Sequence, residues 1–226
     1  MRIRTENKAL EKENVCVRDG VPIMYGIGTY SQAPQTSHGK AAMTKKLPKV
    51  LEASEADALT TIFNRRYDSG LKNMCLVRLM LEAGLRVSEA CALKPGDLKM
   101  MSCKLEVREG KGGKDRVLWI SEDLRDLVGK WLERRPAGEY VFPTRTGAKT
   151  DPRSVRRMIK TYAGKAGIKW NVTPHTLRHT FATNLLRKTG NIRLVQKALG
   201  HSDLSTTMIY THIVDCELES AMKTMG

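Results

Sequence analysis

The sequence predicts a mainly α-helical fold with a small antiparallel β-sheet, an α+β arrangement, on three grounds. From Leu47 onward, apolar residues recur at helical spacing through most of the chain. One segment, KLEVREGKGGKDRVLWI, instead alternates polar and apolar residues on both sides of a glycine-rich centre, the pattern of a β-hairpin. Hydrophobic residues make up 41% of the chain and charged residues 28%, a composition that supports a buried core rather than disorder or a membrane span.

Each element follows in chain order. Ser54 is placed to cap a helix over EADALTTIFNRRY. KNMCLVRLMLEAG reads as a second helix, with apolar residues at helical spacing, that stops at Gly84. A short helix over Ser88–Leu93 ends in the turn Lys94-Pro-Gly-Asp97, and the hairpin follows. Ser121 caps EDLRDLVGKWLERR, which Pro136 closes off. VFP reads as a short strand or extended link. A basic helix is expected over Pro152–Lys165, then helices near Thr176–Lys188, Ile192–Leu199 and Ser205–His212, with a last one from about Cys216. No internal repeat is visible.

Residues 1–46 differ. They have few periodic apolar positions, and GIGTYSQAPQTSHGKAA is rich in small and polar residues, so a flexible or weakly ordered tail is expected there. The net charge of +15 does not come from this tail. Eight Lys and Arg against four Asp and Glu leave +11 on the remainder. Such a surface favours a polyanionic partner, nucleic acid being the commonest. No apolar run approaches the roughly 18 residues of a membrane span, and the N-terminus lacks the apolar core of a secretory signal, so a soluble, cytoplasmic protein is expected. The five cysteines form no CxxC pair; Cys75 and Cys91 fall in apolar helical patterns and read as packed thiols. No metal site is visible.

Three stretches collect basic and nucleophilic residues where packing does not demand them: GLRVSEACAL with Arg86 and Glu89, HTLRHTFAT with His175, Arg178 and His179, and LGHSDLSTTMIYTH with His201, Tyr210 and His212. At i, i+3, His175 and Arg178 share a helix face and can converge on one anion. Two guanidiniums can clamp the non-bridging oxygens of a phosphodiester. A tyrosine hydroxyl, with a pKa near ~10, attacks phosphorus only when basic neighbours assist it. Each residue alone has a plainer use. Arg86 could simply pair with Glu89, His175 could cap a helix, and Tyr210 could pack an amphipathic face.

Taken in order, GLRVSEACAL, GKGGKDR, PHTLRHTFATNLL and VQKALGHSDLSTTMIYTH resemble the catalytic domain of the tyrosine recombinase (phage integrase) family, from about Leu47 to Thr211. The resemblance implies that 47–226 is such a domain, active without metal or nucleotide cofactor. It implies that Tyr210 attacks the scissile phosphate to give a 3′-phosphotyrosyl link, and that Arg86 and Arg178 activate that phosphate. Lys111 would be the general acid toward the 5′-oxygen, with Lys114 on the same turn as a competitor or a backbone contact. His175 would be the base or hydrogen-bonding histidine, His201 a phosphate contact, and Glu89 a supporting acid. His179 is expected off the phosphate-facing side in a structural or hydrogen-bonding role, and His212 is at most supportive. Arg153, Arg156, Arg157 and Lys160, at i, i+3, i+4 and i+7 of one helix, are expected to meet DNA backbone.

The implied partner is double-stranded DNA, in the nucleoid, engaged by a homo-oligomer such as a tetramer. The family usually adds an N-terminal clamp domain. Residues 1–46 are too short and too poor in apolar periodicity to supply one, which leaves a catalytic-domain-only or truncated member, or a clamp from another chain. The C-terminal segment could pack on a neighbouring subunit or on its own domain. Two rival readings stand beside this one: a type IB-like topoisomerase, and a DNA-binding regulator or remnant derived from the family.

Overall fold

The computed structural model describes residues 48–108, 115–201, 206–211 and 222–223, together with Val17–Arg18 and Val21–Pro22. The chain divides into two units, Met1–Thr44 and Lys45–Gly226. In the first, strands β1 (Val17–Arg18) and β2 (Val21–Pro22) pair antiparallel, Val17 opposite Pro22. The weakly ordered tail expected over 1–46 lies otherwise outside the described residues.

The second unit opens with α1 (Ala53–Thr61). Its N-cap is Glu52, not Ser54, because Glu55 three residues on accepts the Glu52 amide at 3.1 Å. The helix also stops earlier than its apolar pattern implies. Thr60 and Thr61 turn their hydroxyls back onto the carbonyls of Ala56 and Asp57, and Asn64 Oδ1 accepts the Arg66 amide at 3.0 Å in a local turn. Phe63, freed from the helix, packs on Tyr162 with ring centroids 4.5 Å apart.

The central helix is α2 (Asp68–Glu82), which buries Leu71, Cys75, Leu76, Val77, Leu79 and Met80. It ends at Gly84, whose φ of +65° is the left-handed conformation that glycine adopts without steric penalty. Helix α3 (Val87–Ala92) and a 3₁₀ turn at Pro95–Asp97 lead into the sheet. Here the structure adds a strand that two residues could not announce by periodicity: β3 (Leu98–Lys99) precedes β4 (Lys104–Val107) and β5 (Arg116–Trp119). The order is β3-β4-β5, all antiparallel, with Leu105 opposite Leu118 and Val107 opposite Arg116. The hairpin tip, 109–114, lies outside the described residues, and Lys111 and Lys114 with it.

Ser121 caps α4 (Glu122–Arg134), accepting the Leu124 amide at 3.2 Å. Trp131 is buried on that helix and donates its indole N–H to the Val141 carbonyl at 2.8 Å, and the VFP link is a buried extended segment whose Pro143 pairs antiparallel with Lys149 in an isolated bridge. Next come α5 (Pro152–Lys165), α6 (Pro174–Thr189) and α7 (Ile192–Leu199), capped by Asp151, Thr173 and Asn191. Residues 209–211 are helical; the last helix expected from about Cys216 lies outside the described residues, apart from helical 222–223. One core surrounds α2, α3, α4, α5 and the sheet, and a second joins Ala182, Leu186, Val195, Leu199 and Tyr210. Cys75 and Cys91 are buried free thiols, pushed up to about 12 and about 11 chiefly by that burial. No described helix is long and apolar enough to cross a membrane.

Candidate active site

The site is built around one carboxylate. Arg86 is the N-cap of α3, and its backbone amide, one of the orphan donors of a helix start, is accepted by Glu89 Oε2 at 2.8 Å. The Arg86 guanidinium turns onto the same residue, Nη1 to Glu89 Oε1 at 2.6 Å. From β5, Arg116 meets Glu89 as a two-pronged fork, Nη1 to Oε1 at 3.0 Å and Nη2 to Oε2 at 2.7 Å. A third guanidinium, Arg178, stands 3.9 Å from Glu89 Oε2. Burial alone would raise the Glu89 carboxyl, but Arg116, with the Arg86 amide and guanidinium, holds it down at about 2.

The two deeper arginines are anchored by helix ends. Arg178 on α6 donates Nη2 to the Leu199 carbonyl at 2.5 Å and Nη1 to the Gly84 carbonyl. Arg116 donates Nε to the Ala198 carbonyl at 2.9 Å. These carbonyls close α7 and follow the end of α2. They lack intrahelical partners and carry the negative end of the helix dipole, so a cation is favoured there. Gly200 caps α7 with φ +64°, and a Cβ there would sit 3.2 Å from Arg116 Cδ.

His201 follows at once, half-buried. Arg178 Nη2 approaches its Nε2 at 3.5 Å, and its Nδ1 lies 3.0 Å from Thr207 Oγ1. An Nε2 that accepts from a guanidinium leaves the ring proton on Nδ1, where Thr207 takes it. Burial, with the charges of Arg178 and Arg86, lowers the imidazole to about 4, so it is neutral at physiological pH. Burial and the like charge of Arg86 lower Arg178 to about 10, which still leaves it a cation. Three guanidiniums therefore face one carboxylate in a poorly hydrated setting. Two positive charges lack a partner within the cluster, and Arg86, 20% exposed in its side chain, is the most open of the three. Such an arrangement has the charge to accept an oxyanion.

Tyr210 stands apart. It is 2% exposed, among the apolar residues of the second core, and its hydroxyl lies 2.9 Å from His179 Nδ1. Burial raises that hydroxyl above its ordinary pKa. His175 is exposed near the start of α6, its ring centroid 6.5 Å from that of His179. The sequence-derived residues thus form two groups: Arg86, Glu89, Arg178 and His201 in one, Tyr210 and His175 flanking His179 in the other. Lys111 and Lys114 lie outside the described residues, although Arg108 and Asp115, which bracket their loop, line an open cleft of about 750 Å³ that His201 also borders. Arg153, Arg156, Arg157 and Lys160 are all exposed on α5.

Arg116 is the residue that sequence reasoning missed. Its signal was available: β5 alternates inward and outward, and Arg116 occupies an inward position that an apolar residue would normally fill. Among the described residues, no three His, Cys, Asp or Glu side chains gather to hold a metal ion.

Residues 49–216 match the model of the phage integrase family. Tyrosine recombinase XerA of Pyrococcus horikoshii is 38% identical over 200 residues, which cover 87% of this chain and 67% of that relative. A crystal structure of XerA recombinase superimposes with a TM-score of 0.69 at 35% identity, covering 79% of this chain and 65% of that one. XerH site-specific recombinase, bound to its palindromic difH substrate after cleavage, also gives 0.69, at 28% identity, covering 78% and 53%. The chain therefore spans about half to two thirds of the length of these relatives.

Proposed function

Given that the chain belongs to the phage integrase family, we propose that it is a site-specific tyrosine recombinase whose nucleophile is Tyr210. The observation that carries this reading is the surplus of positive charge around Glu89. Three buried or half-buried guanidiniums on one carboxylate have no structural need of each other, and an incoming phosphate supplies the missing negative charge.

In the proposed reaction, Arg86 and Arg178 hold the non-bridging oxygens of the scissile phosphate, and His201 contributes a hydrogen bond once its ring proton shifts from Nδ1 to Nε2. The Tyr210 oxygen bonds to phosphorus as the P–O5′ bond breaks. The tyrosine proton passes to a base, His175 in this reading, and Lys111 protonates the departing 5′-oxygen. The product is a 3′-phosphotyrosyl link and a free 5′-hydroxyl. Attack by the same or a partner 5′-hydroxyl reverses the step and frees Tyr210. Glu89 and Arg116 do not react; they set the orientation of Arg86 and balance its charge. Double-stranded DNA is the substrate, gripped in part by the exposed cations of α5, with several copies of the chain assembled on it in the cytoplasm at the nucleoid.

Nicked duplexes cut from the DNA that flanks the gene test this directly. The wild-type chain is expected to form a detergent-stable protein–DNA adduct, because the nick lets the short fragment bearing the freed 5′-hydroxyl diffuse away. Tyr210→Phe is expected to bind the same DNA and form none. An adduct that survives in Tyr210→Phe refutes the assignment. The burial of Tyr210 favours a second reading, a regulator that binds DNA without cutting it; tight binding with no adduct from any duplex would support that one.

A further inference from the structure

We infer that His179 is a positioning residue for the nucleophile: it holds the Tyr210 hydroxyl in a buried resting place, and release from it is a separate step before DNA cleavage. The inference extends the reading of Tyr210 given above. Tyr210 packs against Ala182, Leu186, Val195 and Leu199, and only its hydroxyl needs a polar partner. A buried hydroxyl left without a hydrogen bond is costly, and His179 Nδ1, 2.9 Å away, meets that need.

For Nδ1 to accept, the imidazole must be neutral with its proton on Nε2. Burial, with His175 and Arg178 nearby, lowers the pKa of His179 and favours the neutral ring, and in this inference the Tyr210 hydroxyl facing Nδ1 leaves the ring proton on Nε2. Position on the helix gives the contact its meaning. His179 follows Arg178 directly on α6, and adjacent helical residues diverge by about 100°. The same helix thus fixes a phosphate-binding guanidinium on one side and retains the nucleophile on another. At 2% exposure, Tyr210 cannot meet a phosphodiester where it rests. The bond to His179 therefore sets how often the hydroxyl is free to do so.

Acetylation by N-acetylimidazole, which labels accessible phenols, tests this without DNA, using the whole 226-residue chain and peptide mass mapping. Tyr67, 67% exposed, serves as internal reference. Tyr210 in the wild type is expected to label much more slowly than Tyr67. His179→Phe removes the acceptor and should raise Tyr210 labelling at least about fivefold, the population shift that one net hydrogen bond controls. His179→Asn places an amide oxygen near the position of Nδ1 and should restore protection. His179→Leu makes the same comparison if Phe packs badly, with thermal melting as the check on folding. Equal labelling in the wild type and in a folded Phe or Leu variant overturns the inference, as does an Asn variant that labels like Phe.

Single-turnover adduct formation on nicked DNA gives the second readout. At saturating DNA, His179→Phe should form adduct faster by a similar factor, with unchanged DNA affinity. A slower rate overturns the holding role and makes His179 a participant in proton transfer. If no variant forms an adduct, the reading of Tyr210 as nucleophile fails, while the labelling result still decides whether His179 holds it.

Discussion

Replacing Glu89 by glutamine removes one negative charge from among three guanidiniums while keeping the shape of the side chain. The structure supplies a magnitude for this change by two routes. A carboxyl held at about 2 instead of its usual 4.5 corresponds to roughly 3 kcal/mol of native-state preference for the charged form, at about 1.4 kcal/mol per pH unit. Removing one member of a buried ion pair costs about 3–5 kcal/mol by analogy with other proteins, and the Glu89 side chain is only 8% exposed. Urea unfolding of both proteins at neutral pH should therefore show Glu89→Gln less stable by about 3 kcal/mol. The pH dependence is equally defined. Folding lowers this pKa, so the contribution is complete above about pH 4.5 and disappears as the pH falls through about 2. By about pH 3 the gap should have shrunk to less than half its neutral value, roughly 1.4 kcal/mol. A gap below about 1 kcal/mol at neutral pH, or one that does not narrow in acid, would refute the claim that the charge of Glu89 organises the cluster.

Gly84→Ala should lose stability and activity together. The added Cβ would stand 2.3 Å from Phe181 Cδ1 at a φ of +65°, so strain and overpacking sum to about 2–4 kcal/mol in a urea titration, and the carbonyl that anchors Arg178 must shift. A change within about 0.5 kcal/mol would show that the turn tolerates a side chain. Replacing Arg153 and Arg157 by glutamine should lower the salt dependence of DNA binding by about one unit of slope each, read from affinities across a salt series, with the sequence preference unchanged. An unaltered slope would place α5 away from the DNA.

Much of this architecture was legible before any coordinates. Helices α5 and α7 begin and end where their caps and periodicity put them, and Ser121 caps α4. What stayed hidden has specific physical causes. Strand β3 is too short to alternate visibly. The first helix yields to local hydrogen bonds from Thr60, Thr61 and Asn64, which a count of apolar positions ignores. At the site, Arg86, Glu89, Arg178 and His201 stood in recognisable motifs. Arg116 did not stand out, because its partners are a carboxylate 27 residues back and a carbonyl 82 residues on. The sequence alone leaves Tyr210 a packing use, and the family resemblance implies a nucleophile. In the resting fold it packs, and its hydroxyl is turned to His179.

The anchoring of Arg178 and Arg116 on helix-end carbonyls has a consequence for when the proposed cutting activity can arise. Arg178 reaches back 94 residues to Gly84, and Arg116 reaches forward 82 to Ala198. Neither guanidinium is in place until the end of α2, the sheet, α6 and the end of α7 have all met. A nascent, clipped or partly melted chain keeps its net positive charge, yet lacks the assembled guanidinium cluster. If the chain cuts strands as proposed, cutting is thereby restricted to molecules that have finished folding, with the fold itself acting as the safety catch.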